Sequence, residues 1–530
     1  MRRLLFLPII ALSLLTVACS GGASDGTPPP KVGTFTNSNL QGNYAFSMSG
    51  QDGNGAFITR IGSFIADGSG KITNAIEDLD DGGAISTVSF TQGGTYSIQP
   101  DGTGTMTLQT AVGGLQMSIS LAAPAPAGKG FLIQTDLSST SSGTFVQQNT
   151  GTFAQPFAAS AYTFGFSGTD TIGAPISFVG NVLLNGSGGV GAGLFDRNDG
   201  GNPNDPSGPL AINAGGSYVL DNSAGNAANF GRGTITFAGL SFAFYPVDQT
   251  HAFLLETDGG SFTSGDAFQQ TGIIPTQNSG FTSSYVNLVG GGTLNVPGAL
   301  SRAVRFTPDG NGNLGSIRLD QNNNGSHLCV DPSDSACSPQ STGTYTIGPS
   351  AGRGTLSFQI QGQQEIIDDV FYMVSPSSIL IQDTSANVIA SGSMLAQTGT
   401  LSNASLAGMY VFNLTGQVLP SNGNVGFEED FVGQYTLSSS TTNNITGVSD
   451  FVELGTTSNH TPAFLNIPIT GTLKVNGDGT MRNGYQLVTG NSPSTTINFT
   501  AYAISPAQVF LIGTDTSRVT VGTVSSQVAP

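Results

Sequence analysis

The sequence predicts an all-β protein of four tandem antiparallel domains, each an up-and-down β-barrel of about eight strands, with a β-sandwich as the alternative. Three observations predict it. One strand-and-turn pattern recurs four times along the 530 residues, at a period of roughly 120. Short segments alternate apolar and polar side chains, as in Tyr44-Ala45-Phe46-Ser47-Met48 and Met106-Thr107-Leu108-Gln109, which is the period of a half-buried strand. The segments end in Asp-Gly, Asn-Gly or Gly-Gly, the chemistry of tight hairpins, and no stretch beyond the N-terminus shows a helical period.

Composition narrows the function. Charged residues are 9% of the chain and hydrophobic residues 38%, with 75 Gly and no Trp. A typical soluble domain carries about 25% charged residues, yet the many Phe and Leu mark a folding chain rather than a disordered one. A net charge of −18 excludes nucleic acid as a partner, because binding it requires a basic face that displaces counterions.

Residues 1–18 have a basic start at Arg2 and Arg3, then an apolar run from Leu4 to Val17, too short to span a bilayer and typical of a secretory signal peptide. Leu15-Thr16-Val17-Ala18-Cys19 resembles the lipobox of bacterial lipoproteins, although the usual Leu stands one place further from the Cys. The resemblance implies that Cys19 becomes the lipidated N-terminus and anchors the chain in a membrane. With Ser20 rather than Asp next, it implies the outer membrane, the body facing the periplasm or the cell surface. The alternative is an ordinary signal peptide with an incidental Cys. Residues 19–37 are small, polar and Pro-rich, a tether.

The repeats cover 38–149, 152–271, 279–398 and 401–527, joined by short Gly-, Pro- and Thr-bearing linkers. Each opens on a strand with Tyr at one place: Tyr44, Tyr162, Tyr285 and Tyr410. A Gly turn follows in the first three copies, and eight residues after its last Gly stands Asp78, Asp196 or Asp320. The fourth copy has lost the turn but keeps Asp450. Late in each copy an apolar strand runs into Asp136, Asp258, Asp383 or Asp515, and each copy closes on Gln148, Gln270, Gln397 or Gln527. The late Asp residues read as turn-starters, with a shared acidic site as the alternative. The closing Gln residues read as ladder or inter-repeat hydrogen-bonders, and the opening Tyr as a plug at the barrel bottom with its hydroxyl bonded. The low charge and short joints predict a rod or a string of beads.

Leu40-x-Gly42-x-Tyr44 and Leu406-x-Gly408-x-Tyr410 resemble the Leu-x-Gly-x-Trp opening of avidin-like and lipocalin-like barrels. The resemblance implies a small closed barrel with a ligand cup, but it carries over no ligand, because the Trp that lines avidin's pocket is absent here. The whole pattern is similar to that of repetitive secreted lipoproteins of unknown function.

Two constellations carry candidate chemistry. Asp320, Asn322, Asn324 and Asp331 fit D-x-N-x-N-G-x5-D, the spacing of a calcium loop with alternate oxygen side chains and a Gly at the sharp turn. The loop lies between strands, and its other reading is an Asx-rich hairpin. Cys329 and Cys337 are spaced for a disulfide in an exported protein, contributing about 2.5 kcal/mol in the chain-entropy account. Catalysis finds little: His251, His327 and His460 occupy non-equivalent places, and no zinc spacing or nucleophile elbow is present. The readings of function, in order, are a non-enzymatic envelope lipoprotein for binding, adhesion or structure with a protein or glycan partner; a carrier of small apolar ligands in barrel cups; and a carbohydrate-active enzyme.

Overall fold

The computed structural model describes residues 35–527 apart from 111–112, 123–127, 137–138, 201–207, 295–296, 339, 351, 364–365, 386, 420–426, 439–442, 455–463 and 491–494. The signal peptide, Cys19, most of the tether and His460 therefore lie outside the described residues.

The chain forms four closed antiparallel eight-stranded barrels. In barrel 1 the strands are β1 (Gln41–Asp52), β2 (Phe57–Asp67), β3 (Lys71–Asp81), β4 (Ala84–Ser89), β5 (Gly94–Ile98), β6 (Thr103–Gln109), β7 (Gly114–Leu121), β8 (Lys129–Gln134) and β9 (Ser139–Gln147). Strands β1, β2 and β3 pair in sequence, as do β5 to β9, and β9 pairs back onto β1. The long β3 is shared: its first residues pair with β5 and its outer half pairs with β4, which stands outside the ring of eight. Barrels 2 and 3 repeat this arrangement, while barrel 4 carries one continuous strand, Phe464–Leu473, in place of the split pair.

Local chemistry places the turns. Asp67, Asn185 and Asp309, at the head of the first Gly turn, each accept backbone N–H bonds from the second and fourth residues onward. Such Asx side chains substitute for the backbone partners that a tight turn leaves unmade. The high Gly content has a packing cause as well. A side chain at Gly62, Gly180 or Gly433 would collide with the ring of Phe46, Phe164 or Phe412 on the neighbouring strand. Gly thus gives each aromatic ring a floor inside a narrow barrel.

The interiors are filled. Barrel 3 packs Phe281, Tyr285, Phe306, Phe358 and Phe371 among buried aliphatic residues, and the other three barrels hold comparable clusters. The opening Tyr lies in each cluster. Tyr162, Tyr285 and Tyr410 donate their hydroxyls to the carbonyls of Gln249, Pro376 and Pro506. Burial pushes the Tyr162 and Tyr285 hydroxyls up to about 12.

The barrels do not form a string. The outer faces of β1 and β2 pack on the last three strands of barrel 2, and the equivalent faces of barrels 2 and 3 pack on barrels 3 and 4. Barrel 4 then returns to barrel 1: strands Gly408–Val418 and Phe427–Leu437 lie on β7, β8 and β9. The four barrels close into a ring. The physical reason is that the strands alternate apolar-in with apolar-out at the contacts. Ala45, Ile61, Tyr245 and Phe253 join barrels 1 and 2, and Phe131, Ile133, Val411 and Val432 join barrels 1 and 4. A bead on a string would leave these faces in water.

Candidate functional site

The repeated Asp eight residues after the Gly turn is the centre of the first three junctions. Asp78 accepts from Arg232 Nε and Nη2 at 2.8 and 2.7 Å and from the Tyr245 hydroxyl at 2.8 Å, both of barrel 2. Asp196 takes the same two bonds from Arg353, both at 2.8 Å, and one from Tyr372 at 2.7 Å. Asp320 takes them from Arg482 Nη1 and Nη2 and from Tyr502 at 2.5 Å, and its carboxylate also meets His327 Nε2 at 2.8 Å. Each Asp is nearly or fully buried. A bidentate Arg–carboxylate pair has the planar geometry that survives desolvation. Burial, with the adjacent Asp, lifts the Tyr245 and Tyr502 hydroxyls well above their ordinary value.

The closing Gln residues form a second repeated contact. Gln148 Nε2 donates to the Phe230 and Pro246 carbonyls of barrel 2. Gln270 donates to Met373 of barrel 3, and Gln397 to Asp478 and Ala503 of barrel 4. Gln527 donates to Asp101 and Leu121 of barrel 1, at 2.8 and 3.1 Å. The last residue of the pattern thus makes to the first barrel the bond that each predecessor makes to the next. Gln527→Ala removes the side-chain donor from two carbonyls, one of them fully buried, and is expected to cost about 1–2 kcal/mol. Urea titration measures the loss, and hydrogen exchange should place it in β6 and β7.

The fourth junction departs from the other three. Among the described residues Asp450 meets no arginine; it faces Ser118 and accepts from the Asn466 N–H. Ser120 stands in β7 where barrels 2, 3 and 4 carry Tyr245, Tyr372 and Tyr502.

The sequence-predicted calcium residues have these places. Asp320 and Asp331 are brought together, but around the Arg482 guanidinium, whose Nε lies 3.2 Å from Asp331. Burial pushes the Asp331 carboxyl up; hydrogen bonds from Ser333 and the charges of Arg318 and Arg482 outweigh it and hold the group below its usual range. Asn322 uses its amide nitrogen, donating to the carbonyls of Gly513, Asp515 and Arg518 in barrel 4. Its oxygen accepts from Gly325, and Asn324 sits in the left-handed region of the turn. The Asx-rich hairpin is thus also an interlocking device, and Asn198 does the same at the preceding junction. Cys329 and Cys337 are joined in a disulfide. That removes Cys329 as a thiolate ligand beside Asp320 and His327, with which it otherwise clusters.

The late Asp residues behave as turn-starters. Asp258 accepts the N–H groups of Ser241 and Gly260, and Asp515 that of Asn498. Asp383 accepts that of Ser385 and also binds Arg302, which pairs with Asp369 as well. The arginines and the second tyrosines were missed from sequence. Their signal was present: Arg232 and Arg353 both stand before Gly-Thr in a chain with only 15 basic residues.

A cleft of ≈ 660 Å³ lies between barrels 3 and 4, lined by His327, the disulfide, Asp334, Gln486, Asn498 and Thr500. A second, far smaller cavity lies between barrels 2 and 3. Neither is a barrel cup. No family model matches the chain, and no curated protein matches it.

Proposed function

We propose that the protein is a non-enzymatic lipoprotein of the cell envelope, anchored in the outer membrane through Cys19, whose ring of barrels is a rigid body for binding, adhesion or structure. The observation that carries this reading is that the four barrel interiors are packed with aromatic and aliphatic side chains, while the barrels are locked to one another. A carrier needs an enclosed apolar cavity, and a filled barrel offers its ligands only an outer surface. The described large apolar residues that are exposed are scattered: Ile172, Leu183, Val219, Ile273, Ile366 and Leu465. A lipid-facing barrel would instead carry a continuous apolar band. No helix among the described residues is long and apolar enough to cross a membrane. The lipid anchor is supported by the lipobox-like residues alone.

Two measurements test the proposal. In a Gram-negative host, Cys19→Ala should move the chain from the membrane to the soluble fraction and remove a lipid-sized mass; a membrane-bound Cys19→Ala chain would contradict the anchor. Native mass spectrometry of the Cys19→Ala chain should give the bare protein mass with respect to organic ligands. A stoichiometric apolar molecule would overturn the filled-barrel reading in favour of a carrier.

A further inference from the structure

We propose that the seam between barrels 4 and 1 holds a divalent cation of the calcium class, liganded by Glu428 and Asp430 of barrel 4 with hydroxyls from both barrels.

The strand register singles these two residues out. Asp430 lies opposite Thr415, at the place held by Thr59, Ser177 and Ser301 in the other barrels. Two residues earlier, Glu428 takes the place of Phe57, Pro175 and Ala299. Three seams therefore put apolar and hydroxyl side chains at this level, and the closing seam puts two carboxylates there.

Both carboxylates are fully buried, and none of their four oxygens has a hydrogen-bond partner of good geometry. Glu428 and Asp430 lie against one another, and the hydroxyls of Thr415 and Ser142 flank Asp430. Two more buried polar groups there lack partners. Gln417, directly across the ladder from Glu428, has an unmatched amide nitrogen, and Thr140, two residues along β9 from Ser142, has an unmatched hydroxyl. Desolvating a carboxylate costs several kcal/mol unless a cation or hydrogen bonds replace its water.

Among the described residues no protein cation fills the role. Arg518 points into barrel 4 and binds Glu429 at 2.8 Å. Lys129 is at the opposite end of its strand from the barrel mouth where Glu428 lies. The donor set is oxygen: two carboxylates, three hydroxyls and, with its amide turned over, the Gln417 carbonyl. Hard, oxygen-rich, irregular donor sets suit Ca²⁺, which takes 6–8 ligands with flexible geometry, better than Mg²⁺. Two negative charges balance one divalent ion. Because the donors come from the last and the first barrel, the ion bolts the ring at the one seam that lacks the Asp–Arg–Tyr contact.

The test uses the full chain at pH 7.5, stripped with EGTA and titrated with CaCl2 alone by calorimetry and thermal melting. One ion per chain and a raised Tm are expected. The neutral isosteres Glu428→Gln and Asp430→Asn, together, should give a folded chain in which both the binding heat and the Tm shift are gone. Glu428→Gln alone should weaken both. The proposal is overturned if calcium changes neither heat nor Tm. It is equally overturned if calcium binding survives the double substitution, which would move the ion to another site such as Asp320–Asp331.

Discussion

Replacing Arg482 by Ala should destabilise the chain by about 3–5 kcal/mol, the largest single-residue effect expected here, because it strands buried carboxylates. Arg482 is 5% exposed and its partners Asp320 and Asp331 are 0% and 2% exposed. Removing the guanidinium leaves Asp320 with Tyr502, Thr500 and His327 but no bidentate cation. Chemical denaturation of Arg482→Ala measures the loss. Arg482→Lys should recover only part of it, since an ammonium cannot make the two parallel bonds. The double variant Asp320→Asn, Arg482→Leu should be milder than Arg482→Ala. If it is as damaging as the single change, buried charge is not the reason the junction holds.

Glu256→Gln should stabilise the protein above pH 7 by on the order of 2–3 kcal/mol and leave it unchanged near pH 4. Glu256 is fully buried in barrel 2, where barrels 1 and 3 carry Gln134 and Gln382 before the same late Asp. Burial, opposed by hydrogen bonds from Ser261 and Thr263, pushes its carboxyl up from 4.5 to about 7. The folded chain therefore holds a proton that the unfolded chain releases between about pH 4 and 7. Stability is fully present below that window and is lost as pH rises through it. Thermal melts from pH 4 to 8 should show a decline in the native chain that is smaller in Glu256→Gln. Identical pH profiles would place the pH dependence elsewhere, at groups such as Glu429, which burial also raises to about 7.

Much of each barrel was legible in the sequence because hairpin chemistry is local. Turns at Asp67-Gly68 and Asp101-Gly102 and the alternation in β1 and β6 fall where the pattern places them. The inter-repeat role of the closing Gln residues also emerges, since a polar residue at a strand end after an apolar run needs a partner.

The ring was not legible. Its contacts join residues far apart in the chain, from 81 positions for Gln397 with Asp478, through 154 for Asp78 with Arg232, to 426 for Gln527 with Asp101. Outward-facing Ile61 and Val432 look in sequence like ordinary departures from alternation. Asp320 illustrates the same limit. Spacing shows a carboxylate at the start of an Asx-rich turn, but not that an arginine 162 residues later reaches it. Local spacing specifies oxygen donors and is silent about which cation meets them. In sequence Glu428-Glu429-Asp430 is one of several groups of adjacent carboxylates. Strand alternation sends Glu429 into the barrel with Arg518 and its two neighbours into the seam.

The central claim is that four barrels close on themselves. Small-angle X-ray scattering of the Cys19→Ser chain freed of its leader tests it most directly. A closed ring should give a radius of gyration of about 23–25 Å, close to that of a compact body of this length, whereas a string of four separate barrels would exceed about 30 Å. A value in the first range that holds across salt concentrations is the predicted result. An extended particle, with a distance distribution showing a repeat of single barrels, would contradict the ring and the seam contacts of Gln527 together.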